Sequence, residues 1–218
     1  VKAIMSSDIK VPFTYTIYND FSTPENTQRL EKASKEYGFQ LVNLSDLTDH
    51  PSPNYLLVLQ KTQKEAIEAD AGLLIVESDV TVQKDTLQAL FDGASERKDC
   101  GMAAAITTDD NGEINFPYLD AKGRKPQAYD EKKRFSFCCT LLTPTFLKAF
   151  DFHLLDPTKN WFDVTISHES INKGFHNYLF INLPVLHRPH GSRPWKQLKY
   201  TNPLKYYWLK FTKGLDKI

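Results

Sequence analysis

Gly72-Leu73-Leu74-Ile75-Val76-Glu77-Ser78-Asp79 is the stretch from which the rest of the chain can be read. Its first five residues carry no polar side chain, the pattern of a short strand covered on both faces, which is the usual state of a central parallel strand. The run then stops at two acids. Carboxylates directly after a buried strand stand where the backbone is fixed and solvent is near. Hard divalent cations such as Mg²⁺ take oxygen ligands, commonly one or two carboxylates together with substrate phosphates. Glu77 and Asp79 are therefore candidates for a metal–diphosphate site, and acids in this position also serve as plain helix caps.

Upstream, Phe13 to Tyr18 alternates bulky and polar residues and breaks at Asn19-Asp20-Phe21-Ser22-Thr23-Pro24. Thr23 suits an N-cap and Pro24 the first helical position, where its missing N–H removes no bond. The helix that follows carries Leu30, Ala33 and Tyr37 on one face and stops at Gly38, and Phe39 to Leu44 is the next strand. A strand-helix-strand unit with short connections favours parallel pairing. A further helix is expected over Tyr55 to Ala69, ahead of the apolar strand.

Downstream, a helix over Gln83 to Arg97 places Leu87, Leu90, Phe91 and Ala94 on one stripe and leads to a strand at Gly101 to Ile106. Asp110-Asn111-Gly112 is a tight-turn signal. Residues 119–134 are polar and read as a mobile loop, Phe135 to Leu142 as a strand, and Pro144 to Phe150 as a short helix. A helix from Asp163 to Lys173 with Gly174 as its stop precedes strands at Tyr178 to Leu183 and Val185-Leu186-His187. Alternating strands and helices argue for an α/β layered fold with a mostly parallel central sheet. Ligands of such sheets sit beyond the carboxyl ends of the strands, where Asp20, Asp79 and His187 can converge.

Composition narrows the function classes. The chain has 218 residues, enough for one substantial core, and its 27 basic and 27 acidic side chains cancel. No global field draws it to nucleic acid, so a nucleic-acid partner is not expected. Three cysteines, two adjacent at Cys138 and Cys139, offer neither a disulfide framework nor paired zinc spacing. They read as core residues of a protein in a reducing, cytoplasmic setting. His190 is set apart from His187 by Pro189 and His168 lies within a helix, so neither is assigned a role. Phosphate-loop, dinucleotide-loop, nucleophile-elbow and HExxH signatures are absent.

Taken in order, these features resemble family-2 glycosyltransferases of the GT-A fold over roughly residues 5–192. The matching pieces are Tyr18-Asn19-Asp20-Phe21-Ser22-Thr23 after the first visible strand and Leu73 to Asp79 as an Asp-x-Asp-like strand end. They continue with Trp161-Phe162-Asp163-Val164 at a helix start, then Gly174-Phe175 and Val185-Leu186-His187. The resemblance implies a nucleoside diphosphate sugar donor, UDP-linked, contacted through Asp20 and Ser22. It also implies Mn²⁺ or Mg²⁺ on Glu77, Asp79 and His187, with Asp163 as the base that takes a proton from an acceptor hydroxyl. The acceptor would be a glycan or a lipid-linked sugar, and transfer of one sugar with inversion is the expected reaction. Three departures accompany the match. Val1 to Ile9 stands where the helix after the family's first strand belongs, so that strand either precedes Val1 or is missing. Glu77 replaces the first Asp of the motif, and Phe162-Asp163 retains one carboxylate of an expected acid pair.

The alternative is a GT-A-like module that binds a nucleotide without transfer. A nucleotidyltransferase would need a Gly-rich basic loop after its first strand, and a processive synthase a Gln-x-x-Arg-Trp motif; the chain has neither. Arg188, Arg193, Trp195 and Lys196 follow His187, where positive groups can clamp a diphosphate, with a plain basic exposed tail as the competing expectation. Residues 193–218 form a basic, aromatic tail after a domain spanning 1–192. Its mixture of lysines and aromatic residues between Leu198 and Phe211 suits peripheral contact with the inner face of a membrane, with packing against the core as the competing expectation.

Overall fold

In the computed structural model, which describes residues 1–132, 134–159, 161–189, 198 and 202–212, the N-terminal third follows its local signals. A short helix α1 (Lys2–Met5) precedes strand β1 (Thr16–Asn19), helix α2 (Pro24–Tyr37) and strand β2 (Gln40–Asn43). The Thr23 side chain accepts a hydrogen bond from the Asn26 amide, Pro24 opens α2, and Gly38 ends it at φ +76°, a conformation that glycine reaches without steric penalty. β1 and β2 pair in parallel as expected, from Thr16 opposite Gln40 to Asn19 opposite Asn43.

Helix α3 (Tyr55–Glu68) leads into β3 (Leu73–Val76), the two-residue β4 (Val80–Thr81), α4 (Thr86–Ser95) and the long β5 (Cys100–Thr108). Then come β6 (Ala128–Asp130), β7 (Cys139–Leu142), α5 (Pro144–Ala149), α6 (Phe162–Asn172), β8 (His176–His187) and α7 (Pro203–Thr212). The larger sheet runs β3-β7-β5-β8-β4, with β6 added on β8. Its faces are covered separately. Met102, Ala104 and Ile106 of β5 pack with Leu59 of α3, Phe146 of α5 and Ile166 of α6. Ala103 and Ala105 pack with Leu87, Leu90 and Ala94 of α4 and Ile4 of α1. The result is a three-layer α/β architecture.

Several details differ from the sequence expectations. The sheet is mixed rather than mostly parallel: β5 and β8 run in parallel, while β3 with β7, β7 with β5, β8 with β4 and β6 with β8 are antiparallel. No α-helix lies among the described residues between β5 and β7, so the chain makes no crossover there and returns antiparallel. The apolar run of β3 is covered on both faces, Leu73 and Ile75 on one core and Leu74 and Val76 on the other. It nevertheless ends the strand order instead of lying centrally. Residues 119–134, expected as a mobile loop, contain β6, whose register puts Tyr129 opposite Leu179. The Arg124 guanidinium lies over the Tyr129 ring and pairs with Glu131. The expected helix over Val1–Ile9 is confined to Lys2–Met5.

A buried polar knot ties α3 to the segment before α6. Gln63 donates to the Leu147 carbonyl at 2.9 Å and accepts from the Phe152 amide at 2.8 Å. Such side chains are retained in a core only when they are hydrogen-bonded.

Candidate metal and nucleotide site

The acids after β3 are held from two sides. On one, the Glu77 amide donates to the Cys138 carbonyl at 3.0 Å, extending the β3–β7 ladder by a residue. On the other, the Val80 amide closes a turn onto the Glu77 carbonyl at 3.1 Å, β4 pairs Val80 with His187, and the Arg188 amide donates to the Asp79 carbonyl at 3.0 Å. Glu77-Ser78-Asp79 is thus clamped between the start of β7 and the end of β8.

This clamp brings side chains together that lie far apart in sequence. His187 Nε2 is 3.4 Å from Asp79 Oδ2 and 3.8 Å from Cys138 Sγ. The Cys138 thiol donates to Glu77 Oε2 at 3.4 Å. One ligating atom from each of Glu77, Cys138 and His187 lies within 4.8 Å of the others.

The His187 ring orientation is fixed from behind. Its Nδ1 lies 2.7 Å from the Phe116 carbonyl, which only accepts, so Nδ1 carries the proton. The Phe116 carbonyl also accepts from Thr107 Oγ1, and Asn115 Nδ2 donates to the His187 carbonyl at 2.8 Å. In the neutral ring, Nε2 therefore presents a lone pair toward a carboxylate oxygen. Two acceptors at that separation need a proton or a cation between them. A histidine whose rear N–H is held by a carbonyl is the usual arrangement of a metal ligand.

Asp163 shares this electrostatic environment. It sits in the first turn of α6, where its Oδ1 accepts from the Val164 amide at 2.9 Å. Although Glu77 keeps an exposed side, desolvation of its carboxyl by the surrounding protein pushes it above its ordinary pKa, and the charges of Asp79 and Asp163 push the same way, against the Cys138 thiol and His187. Burial also raises Tyr55 well above its ordinary value, with Glu77, Asp163 and Cys138 adding to it. The Cys138 thiol is pushed up by burial and by Glu77, and so stays protonated in the free site. The α6 turn is fixed by a buried chain of hydrogen bonds. Ser167 Oγ donates to the Asp163 carbonyl at 2.6 Å and accepts from the Phe135 amide, and Asn177 Nδ2 donates to the Ser167 carbonyl.

The other sequence candidates have different positions. Both Asp20 oxygens are engaged by the entry to α3: Oδ2 accepts from the Asn54 amide and Ser52 Oγ at 2.9 Å, and Oδ1 from Asn54 Nδ2 at 2.8 Å. Burial opposes the ionised form of Asp20, but these hydrogen bonds outweigh it and hold its pKa low. Asp20 thereby positions Tyr55, which follows Asn54 directly. Ser22 is exposed, its amide turned back on Asn19 Oδ1 at 3.3 Å. The exposed Arg188 guanidinium is paired with Asp110, Nη2 to Oδ1 at 2.5 Å and Nε to Oδ1 at 3.2 Å. Arg193, Trp195 and Lys196 lie outside the described residues. Cys139 is a core residue as expected, whereas Cys138 is a wall of the site. Tyr55, Asn115 and the Phe116 carbonyl are further site groups that no sequence motif marked.

No family model matches the chain, and no curated protein matches it. Solved structures do. One is a crystal structure of GalNAc-T7 with UDP, GalNAc and Mn²⁺, at a TM-score of 0.56 and 12% identity, over 90% of this chain and 41% of that one. The chain spans less than half of that neighbour. At this identity the likeness carries the fold, which is of the GT-A glycosyltransferase type.

Proposed function

We propose that the protein transfers a single sugar from a nucleoside diphosphate sugar, UDP-linked, to an acceptor hydroxyl with inversion, using Mn²⁺ or Mg²⁺. The observation that carries this reading is the fixed His187 ring, whose Nε2 faces Asp79 beside Glu77 at the end of β3. Glu77 and Asp79 offer the hard oxygens that such cations prefer, and an imidazole ligand favours Mn²⁺ over Mg²⁺. Support also comes from the neighbour of the same fold, whose structure contains UDP and Mn²⁺.

A bound divalent cation would neutralise charge on the departing diphosphate. The chain's own residues do the remainder. Glu77, Asp79 and His187 would hold the cation, and Tyr55, packed 6.4 Å from the Phe162 ring between centroids, stands within the electrostatic reach of Glu77 and Asp163. Asp163 takes the proton of the attacking hydroxyl at its carboxylate. A base at this position activates a hydroxyl for direct displacement, which inverts the anomeric carbon.

One observation favours a second reading, a nucleotide-binding module without transfer: Asp20 and Arg188 are already engaged by Asn54 and Asp110. Release of UDP from UDP-sugars without acceptor separates the two. The transferase reading expects slow, Mn²⁺-dependent release from at least one donor. Mn²⁺-dependent UDP binding with no release from any donor would establish the module instead.

A further inference from the structure

Helix α7 presents an uncovered apolar face. Leu204, Tyr207, Trp208 and Phe211 recur at the i, i+3, i+4, i+7 spacing of one helical side and are 87%, 58%, 63% and 91% exposed. Tyr206, on the opposite side, is buried at 3% exposure and its ring meets that of Tyr207 edge-on at 5.2 Å. With Tyr206 buried on one side, the four apolar side chains face outward together on the other. Lys205 and Lys210 are exposed on the two flanks of the apolar side.

We infer that this face of α7 docks the protein onto an anionic phospholipid surface, lying in the plane of the interface. Three observations select lipid over other occupants. Charge is the first: Arg193 to Lys217 carries seven cations against Asp216 alone, in a chain whose total charge is zero, so the remainder is net acidic and the basic character is concentrated here. An anionic surface attracts this segment and repels the rest. The second is the side-chain mixture, since Trp and Tyr favour the headgroup boundary and flanking lysines extend their stems along apolar surface toward phosphates. The third is length. A helix of 10 residues is about 15 Å long, half the hydrocarbon thickness, and among the described residues no helix is long and apolar enough to cross a membrane. A helix with one apolar side and basic flanks lies in the plane of the interface.

The inference stands independently of the sugar-transfer reading, because it is tested without nucleotide. The full chain is sedimented with vesicles of phosphatidylcholine containing phosphatidylglycerol, and with phosphatidylcholine alone. Binding is expected to the anionic vesicles, to fall as salt rises, and to come with a blue shift of emission that Trp208→Phe removes. Leu204→Ser with Phe211→Ser should abolish it while leaving the melting temperature unchanged. Replacing Lys205 and Lys210 by Gln should weaken it by about fivefold each. Equal binding by the Leu204/Phe211 variant overturns the proposal, as does equal binding to neutral vesicles. Absence of binding, or a concentration-dependent dimer that the same variant dissolves, shows that α7 faces a second copy or nothing at all.

Discussion

Replacing Asp79 with Asn probes the facing pair at the centre of the site. In the wild type a carboxylate oxygen lies 3.4 Å from a histidine nitrogen whose opposite N–H is held by the Phe116 carbonyl. The amide has the same shape and can donate its N–H to that nitrogen, so the interaction survives without a proton or a cation. A neutral hydrogen bond contributes about 1 kcal/mol, and the free variant should melt within a few degrees of wild type. Ligand response should separate them. Wild type with UDP and Mn²⁺ at 100 times the dissociation constant gains about 2.7 kcal/mol. For a chain of this size that is roughly 5–11 °C in melting temperature. Asp79→Asn should lose nearly all of this shift, read by differential scanning fluorimetry with UDP alone, Mn²⁺ alone and both. A variant that keeps the full Mn²⁺-dependent shift refutes the metal assignment. One that melts far below wild type without ligand makes Asp79 a structural cap.

Asp163→Asn should retain Mn²⁺-dependent UDP binding and the wild-type melting temperature, since an Asn Oδ1 still accepts from the Val164 amide as Asp163 Oδ1 does at 2.9 Å, yet lower sugar transfer by about 10²–10⁴-fold; unchanged turnover removes Asp163 as the base. Cys138→Ser should leave Mn²⁺-dependent binding within about threefold but weaken competition by Zn²⁺ or Cd²⁺ on the order of tenfold, because only the sulfur favours soft cations. Equal Zn²⁺ competition in both proteins would show that the thiol does not reach the ion. Gly93→Ala places a methyl 2.5 Å from Phe180 Cε1, in a ring already covered by the Arg97 guanidinium at 5.3 Å. Overpacking of this kind costs about 1–3 kcal/mol, or roughly 2–12 °C in melting temperature by calorimetry.

What the sequence disclosed was mostly local. The cap at Thr23, the proline after it and the stop at Gly38 each act through their own backbone geometry, and α2 begins and ends where they place it. The apolar run before Glu77 correctly signalled cover on both faces, because Leu73 and Leu74 must each find an apolar neighbour. Strand direction was not legible there, since an antiparallel partner covers such a run as well as a parallel one. The order in residues 119–134 is illegible in the sequence for a similar reason: β6 is held by pairing with β8 and by Arg124 over Tyr129, contacts across the sequence that local polarity does not announce. In the site, Glu77, Asp79 and His187 stood out as polar groups at strand ends. Cys138 did not, because it borders Glu77 only through the register that sets Val76 opposite Cys139. The carbonyl that orients His187 belongs to Phe116, and a backbone atom carries no mark in a sequence.

The most direct test of the site is the location of the metal. Crystals grown with UDP and Mn²⁺, measured near the manganese absorption edge, will show where the ion lies by anomalous scattering. One strong peak is expected within coordination distance of His187 Nε2 and an Asp79 carboxylate oxygen, with the diphosphate of UDP on its open side. A peak bound to other residues, or UDP bound beside Glu77 with no metal at Asp79 and His187, would overturn the metal assignment.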